Sequence, residues 1–281
     1  GDGRQVRAFE LGPSWSGFYL VAAGHFTDPV RRDLYVGVQH PYYGRHQSRL
    51  LHGGSGEVLW ESVPGLSYSP AAADLRGRGA DDLVGMYYFT HVVLDGATGT
   101  TRFADANRPG YHTATVADVD GDGRLEVLFH SGYMTISCAE ADGRRRWAVD
   151  GLNYNAGGAA ALADVDGDGR LELAVAFRDG RLVCLDAATG QERWIPPLPG
   201  AGTDCLAGDV DGDGLPEIVV GCWDGNLYAV SGRGGAPTVL WSHPVGGAPG
   251  APIMADADGD GVAEILVVGG DGYLYCLGGE D

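Results

Sequence analysis

The sequence predicts an all-β fold: a six-bladed β-propeller of four-stranded antiparallel blades, with an N-terminal strand closing the last blade. Three observations predict it. An acidic turn recurs at a nearly fixed period. Four short apolar runs separated by turn residues fill each period. Glycine is high, at 48 of 281 residues, and it is spread along the chain, which means many tight turns and therefore many short strands.

The repeat dominates. ADVDGDGRLEVLF carries its first aspartate at Asp118, ADVDGDGRLELAV at Asp164, GDVDGDGLPEIVV at Asp209 and ADADGDGVAEILV at Asp256, in steps of 46, 45 and 47 residues. Stepping back 44 residues from Asp118 reaches AADLRGRGADDLVG at Asp74, and another 49 reaches AGHFTDPVRRDLYVG, where His25 holds the equivalent position. The chain therefore reads as a single domain over residues 1–281, with six copies starting near 25, 74, 118, 164, 209 and 256 and the first two degraded.

Each copy yields four strands, A to D. In the fourth copy, strand A precedes the acidic loop, strand B is LELAVAF, strand C is RLVCLD and strand D is QERWIP. The turns between them are DGDG, RDG and DAATG. Four strands at a period in the mid-forties is the pattern of a propeller blade. No helical period of useful length fits between strands, so a βαβ reading fails. Strand D carries Trp60, Trp147, Trp194 and Trp241, expected to pack between blades. The last copy stops after strand C, while DGRQVRAFELG near the start resembles the strand D at Asp142 to Leu152. That N-terminal strand is expected to complete the sixth blade and cover its edge.

The acidic loops point to calcium. D-x-D-x-D-G-x-x-E sets alternate carboxylates around one sharp glycine turn, and calcium takes about 6–8 hard oxygens in a flexible cage. The expected ligands are Asp118, Asp120, Asp122 and Glu126; Asp164, Asp166, Asp168 and Glu172; Asp209, Asp211, Asp213 and Glu217; and Asp256, Asp258, Asp260 and Glu264. Arg124, Arg170, Leu215 and Val262 would add backbone carbonyls. Acids this close repel without a cation. An EF-hand is excluded: it needs an acid at loop position 12, where Phe129 stands, and flanking helices. Four Ca²⁺ sites are expected. Copy two has Arg76 and Arg78 where ligands belong, with Asp74 and Asp82 kept, so an arginine is expected to pair those acids in place of an ion. Copy one offers only Thr27 and Asp33. Neither is expected to bind calcium.

Charge and composition narrow the class. A formal charge of −19 argues against nucleic-acid binding and suits a chain that holds cations. No apolar run is long enough to span a membrane. The five cysteines lack zinc-site spacing, and Cys138, Cys184 and Cys276 fall in strand-like runs, so buried free thiols are expected and the compartment stays open.

These loops resemble the FG-GAP and VCBS repeats of integrin-like propellers, over nearly the whole chain and strongly in four copies. The resemblance implies the fold, calcium and an extracellular or cell-surface location; the unpaired cysteines leave a cytoplasmic one open. LDAATGQERW at Leu185 to Trp194 also resembles the repeat of quinoprotein dehydrogenases, through shared blade packing.

Strand alternation places the acidic A–B loops and the C–D turns on one face, and the B–C and D–A loops on the other. The second face collects Trp15, Tyr68, Tyr111, His112, Tyr154, Asn155 and Asp204 from D–A segments. From B–C segments it collects His40, Tyr42, Tyr43, Arg45, His46, Tyr87, Tyr88, His91, His130, Tyr133, Arg178 and Trp223. Seven of the eight histidines lie before residue 131, so the copies that lost the acidic pattern carry the imidazoles. Aromatic planes beside arginine and histidine suit sugar rings bearing carboxylates or sulfates.

Three functions follow. The first is a calcium-stabilised recognition module binding a glycan or protein ligand through that face, with Trp15, Tyr42, Tyr43, Tyr68, Tyr87, Tyr111, His130, Tyr133, Tyr154, Arg178 and Trp223 as its contacts. The second is a polysaccharide lyase on a uronic-acid polymer, in which His40, Arg45, His46, Tyr88, His91 and His112 are candidates for neutralising the carboxylate, removing the proton and protonating the leaving oxygen. The third is a sensor or scaffold propeller of a larger protein, which the bare Gly1 start permits.

Overall fold

Successive residues of a strand point to opposite faces, so a strand buried on both faces needs apolar residues at every position. The B and C strands of the repeat meet that requirement. The computed structural model describes residues 19–38, 47–62, 66, 68–87, 90–105, 114–130, 135–150, 158–194, 196, 198–200, 202–257, 259 and 262–278. They form six antiparallel sheets, each running in chain order from strand to neighbouring strand. The chain divides into two compact units, residues 1–107 and 108–281.

In the first unit, β1 (Tyr19–Gly24), β2 (Asp33–Val38), β3 (Gln47–Leu51) and β4 (Val58–Ser62) make the first sheet. The second holds β5 (Tyr68–Ala73), β6 (Asp82–Tyr87), β7 (Thr90–Leu94) and β8 (Thr101–Asp105). Strands β1 and β5 lie against each other. Between the two sheets, Phe26, Tyr35 and Leu50 pack with Leu83, Val92 and Leu94.

In the second unit, β9 (Ala114–Ala117), β10 (Glu126–His130), β11 (Thr135–Ala139) and β12 (Arg145–Asp150) make the third sheet. The fourth holds β13 (Ala161–Ala163), β14 (Glu172–Ala176), β15 (Leu182–Asp186) and β16 (Glu192–Trp194). The fifth holds β17 (Gly202–Gly208), β18 (Glu217–Cys222), β19 (Asn226–Ser231) and β20 (Thr238–Pro244). The sixth has three strands among the described residues: β21 (Ile253–Ala255), β22 (Glu264–Val268) and β23 (Leu274–Leu277). A single 3₁₀ turn at Arg233–Gly235 is the helical structure described, and no helix is long and apolar enough to cross a membrane.

Strand β14 shows why the runs are continuous. Leu173 and Val175 pack with Leu128, Ile136 and Cys138 of the third sheet. Ala174 and Ala176, on the other face, pack with Ile218, Val220 and Cys222 of the fifth. The sheet is thus covered on both sides. Small alanines on one face against large residues on the other let neighbouring sheets approach closely.

Strand-D tryptophans lock the first sheet to the second and the third to the fourth, as the sequence leads one to expect. Trp60 Nε1 donates to the Gly96 carbonyl at 2.9 Å, and Trp147 Nε1 to the Ala187 carbonyl at 3.0 Å. Both rings lie on a glycine of the next sheet's C–D turn. A Cβ on Gly99 or Gly190 would come within 2.6 Å of the ring, and both residues hold a positive φ, +71° and +73°. Glycine is therefore required twice over at each turn.

A second regularity was not read from the sequence. In all five four-stranded sheets the pairing of strands C and D slips by one residue just before the strand-D aromatic. The skipped residues are Leu59, Arg102, Arg146, Arg193 and Leu240. A bulge of this kind turns one extra side chain out of the ladder and re-aims it.

Two expectations need correcting. All five cysteines are free, but Cys276 is exposed, whereas Cys138, Cys184, Cys205 and Cys222 are buried. Cys276 sits on β23, which has no further strand beside it among the described residues. His91 and His130 are strand residues at 1% and 0% exposure, not B–C loop residues; the strands simply run longer than the turn signals indicate.

Candidate functional site

Each acidic loop joins strands A and B and is built the same way. Its first aspartate folds the turn. Asp118 accepts hydrogen bonds from Gly121 N at 2.7 Å and Gly123 N at 2.8 Å. Asp164 does the same with Gly167 and Gly169, and Asp209 with Gly212 and Gly214. Gly121 and Gly123 stand at φ of 77° and 83°, which the turn demands and other residues resist.

The closing glutamate sits at the start of strand B, buried. Glu126, Glu172 and Glu217 are 0% exposed. In each, Oε2 accepts the backbone N–H of the residue after the first aspartate, at 3.0, 3.1 and 3.0 Å. The other oxygen, Oε1, makes no hydrogen bond. A buried carboxylate oxygen without a donor is costly, and it calls for a cation.

Oxygens of Asp164, Asp166 and Glu172 lie within 4.8 Å of one another, as do those of Asp209, Asp211 and Glu217, and of Asp118, Asp120 and Asp122. Burial pushes the Glu172 carboxyl up to about 7, and the charges of Asp166 and Asp168 add to the rise. Burial raises Glu126 and Glu217 in the same direction. The donor set, all hard oxygen with one buried unsatisfied atom, fits calcium. In the fourth copy, Asp256 accepts from Gly259 N at 2.6 Å and Glu264 from Ala257 N at 2.7 Å, while Asp258 and Asp260 lie outside the described residues.

The two degraded copies carry guanidinium instead. Asp82, at 0% exposure, stands where the closing glutamate stands elsewhere. Arg76 meets it at 2.5 and 3.0 Å, Arg102 at 3.0 Å and Arg78 at 3.3 Å. Arg76 and Arg78 also pair with Asp95, at 2.7 and 3.2 Å. Burial lifts the Asp82 carboxyl above its ordinary range, and Arg76 and Arg102 pull against it. The expected arginine pairing is present at Asp82 but not at Asp74, which accepts the backbone of Arg78 and Gly79; Asp95 takes the guanidiniums beside Asp82. In copy one, Arg31 pairs with Asp33 at 2.9 Å and donates to Thr27 at 2.8 Å.

Arginines also reach the intact loops, a feature missed from the sequence. Arg146 lies 2.6 Å from Asp120 and 3.7 Å from Glu126. Arg193 lies 2.9 Å from Asp168, 3.1 Å from Asp186 and 3.7 Å from Glu172. Arg233, from the turn after β19, pairs with Asp213. The signal was there: an arginine directly precedes the strand-D aromatic at Arg102-Phe103, Arg146-Trp147 and Arg193-Trp194.

Residues 164–220 and 209–267 match the model of the FG-GAP-like repeat. The chain carries FG-GAP-like repeats. The two matches share the acidic loop at 209–217 and together run from the acidic loop of the fourth sheet into β22 of the sixth. No curated protein matches the chain in sequence. Solved β-propeller structures resemble it in fold. BamB from Moraxella catarrhalis is 14% identical, with a TM-score of 0.61 over 87% of this chain and 69% of that one. Sqt1 from Saccharomyces cerevisiae is 12% identical, with a TM-score of 0.66 over 89% and 69%. The V. cholerae biofilm matrix protein Bap1 is 18% identical, with a TM-score of 0.60 over 94% and 53%. Between these FG-GAP-like acidic loops and the opposite ends of the same sheets run only the five or six residues of strand B.

At those opposite ends, the B–C turns of the fourth and fifth sheets bring two expected residues together. The Arg178 guanidinium lies 5.2 Å from the centre of the Trp223 ring, and Trp223 is 54% exposed. Tyr68 lies in β5, and Tyr87, half-buried, ends β6 against the core of the first unit. Trp15, His40, Tyr42, Tyr43, Arg45, His46, Tyr88, Tyr111, His112, Tyr133 and Tyr154 lie outside the described residues.

Proposed function

We propose that the chain is a calcium-stabilised recognition module, with structural ions in the acidic loops and a ligand surface at the B–C ends of the sheets. Calcium would be held by the aspartates and closing glutamate of each intact loop, and would supply only charge neutralisation and cross-linking of the turn. The pairing of Arg178 with the exposed Trp223 carries the ligand part. An exposed indole under a guanidinium offers an apolar plane and a positive charge side by side, which suits a glycan or protein segment bearing carboxylate or sulfate groups. A propeller as a docking platform also matches a structural neighbour, the BBS1N domain solved in complex with ARL6DN, 11% identical with a TM-score of 0.61.

Trp223→Ala and Arg178→Ala are each expected to weaken ligand binding at least about tenfold, while the melting temperature stays within about a degree, since both side chains are at turn tips. Glycan-array binding and pull-downs with an immobilised chain measure the first, and thermal unfolding the second. Unchanged binding in both variants removes the B–C ends from the ligand surface.

The same reading makes the fold a ring of six blades. Residues 2–12, which resemble a strand D, would supply the fourth strand of the sixth sheet. A cleft of about 680 Å³ lined by Trp241, His243, Cys276 and Leu277 borders β23, where such a strand would lie. Deleting residues 1–12 is then expected to split one cooperative unfolding transition into two. A single, unshifted transition after the deletion would show that the strand closes nothing.

A further inference from the structure

In three sheets the bulge before the strand-D aromatic brings an arginine to the acidic loop of the same sheet, and the identity of the bulge residue differs between sheets. In the second, third and fourth sheets it is Arg102, Arg146 and Arg193. In the first and fifth it is Leu59 and Leu240, which are 36% and 39% exposed. All three arginines contact the buried closing acid of their loop or lie beside it: Arg102 at 3.0 Å from Asp82, Arg146 at 3.7 Å from Glu126 and Arg193 at 3.7 Å from Glu172. Each thus reaches the acid that a bound ion would share.

The three converging acids in each loop leave one of the four outside the group, and an arginine lies within 4 Å of that one; Arg146 also meets Asp120 at 2.6 Å and Arg193 reaches Glu172 at 3.7 Å, both inside their groups. Glu126 is met by Arg146, Asp168 by Arg193 and Asp213 by Arg233. The guanidinium therefore competes for a carboxylate that the full ligand set needs, and it adds a positive charge a few ångströms from any cation there. In the second sheet the competition is complete. Arg102, Arg76 and Arg78 all pair with Asp82, and Arg76 and Arg78 pair with Asp95 as well.

We infer that the bulge position is the affinity dial of each loop: arginine there lowers the loop's affinity for calcium, and an apolar residue raises it. This rests on the calcium reading of the loops. Loop 209–217, whose bulge residue is Leu240, fills first. Its arginine, Arg233, is 65% exposed, reaches only Asp213 among the loop acids, and comes from a glycine-flanked turn, so the pair is a solvent-screened one. Loops 118–126 and 164–172 fill at higher calcium. The first of these opens on a cleft of about 550 Å³ that Asp120, Asp122 and Arg146 line together.

The experiment is a calcium titration of the whole chain followed by amide hydrogen exchange, which gives a calcium midpoint for each loop separately. Arg193→Leu is expected to lower the midpoint of loop 164–172 roughly tenfold and leave loop 209–217 unchanged, the size expected for removing one unit charge beside a divalent ion in a partly solvated site. Leu240→Arg, at an exposed position where folding is not at stake, is expected to raise the midpoint of loop 209–217 by a similar factor. Arg181→Leu is the control, because Arg181 pairs with Asp179 in a B–C turn and touches no acidic loop. If the wild-type loops take up calcium but Arg193→Leu and Leu240→Arg leave their midpoints where they were, the inference fails and the calcium reading stands. An equal shift from Arg181→Leu also overturns it, since the effect would then be net charge alone. If no loop in any variant responds to calcium, both readings fall.

Discussion

Chelation of calcium is expected to lower the melting temperature by about 10 °C or more, and calcium added back to restore it. A ligand present at a hundredfold over its Kd stabilises the folded state by about 2.7 kcal/mol per site. Each kcal/mol shifts the midpoint of a domain of this size by about 2–4 °C, and several loops act together. The loss should be local. Hydrogen exchange is expected to speed up at residues 118–126, 164–172 and 209–217 and to stay unchanged at 74–82, where Arg76, Arg78 and Arg102 hold the acids. It should also depend on pH, with a sign fixed by Glu172. Burial raises that carboxyl to about 7, so the folded, chelated chain holds a proton that the unfolded chain has released. Its stability therefore falls as pH rises from the ordinary carboxylate range through about 7. Calcium needs the ionised form, so the gap between calcium-loaded and chelated protein widens from pH 5 to pH 8. Melting curves that chelator leaves unmoved across that range would remove calcium from the account of stability.

Asp82→Asn is expected to cost about 2–4 kcal/mol of folding stability, and calcium is expected not to restore it. The substitution keeps the shape but takes the negative charge from under three guanidiniums, leaving Asp95 as the acid that Arg76 and Arg78 share. Removing one partner of a buried ionic group strands the others, which is why the cost exceeds that of a surface pair. Urea unfolding with and without calcium measures both parts. A loss below about 0.5 kcal/mol would mean that the arginines re-solvate freely and that the cluster does not hold the second sheet's loop.

Much of the fold was legible because the repeat makes its evidence redundant. Four near-identical loops from Asp118 to Glu264 fix the period, and the turns DGDG, RDG and DAATG fix the strands between them. The strand-D tryptophans were legible as packing residues for the same reason. What escaped were properties that depend on register rather than composition. The bulge before Trp147 and Trp194 changes no residue type, so Arg146 and Arg193 read as ordinary polar positions of an outer strand until the pairing is known. His91 and His130 read as loop residues because polarity suggests a turn, yet the ladder extends through both and buries them. Arg178 and Trp223 were expected on one face, but their stacking depends on how the fourth and fifth sheets pack, which no single repeat encodes.

The tryptophan of one repeat rests on a glycine of the next, as Trp60 does on Gly99 and Trp147 on Gly190. The stretch that is copied when such a gene grows and the stretch that can fold are therefore out of phase. A repeat excised at its sheet boundaries leaves an indole without its seat at one end and a bare glycine turn at the other. Gain or loss of a whole repeat, by contrast, restores every such contact between unlike neighbours, provided the Trp and the Gly-bearing turn are both kept. The Trp and its glycine partner must therefore change together or not at all.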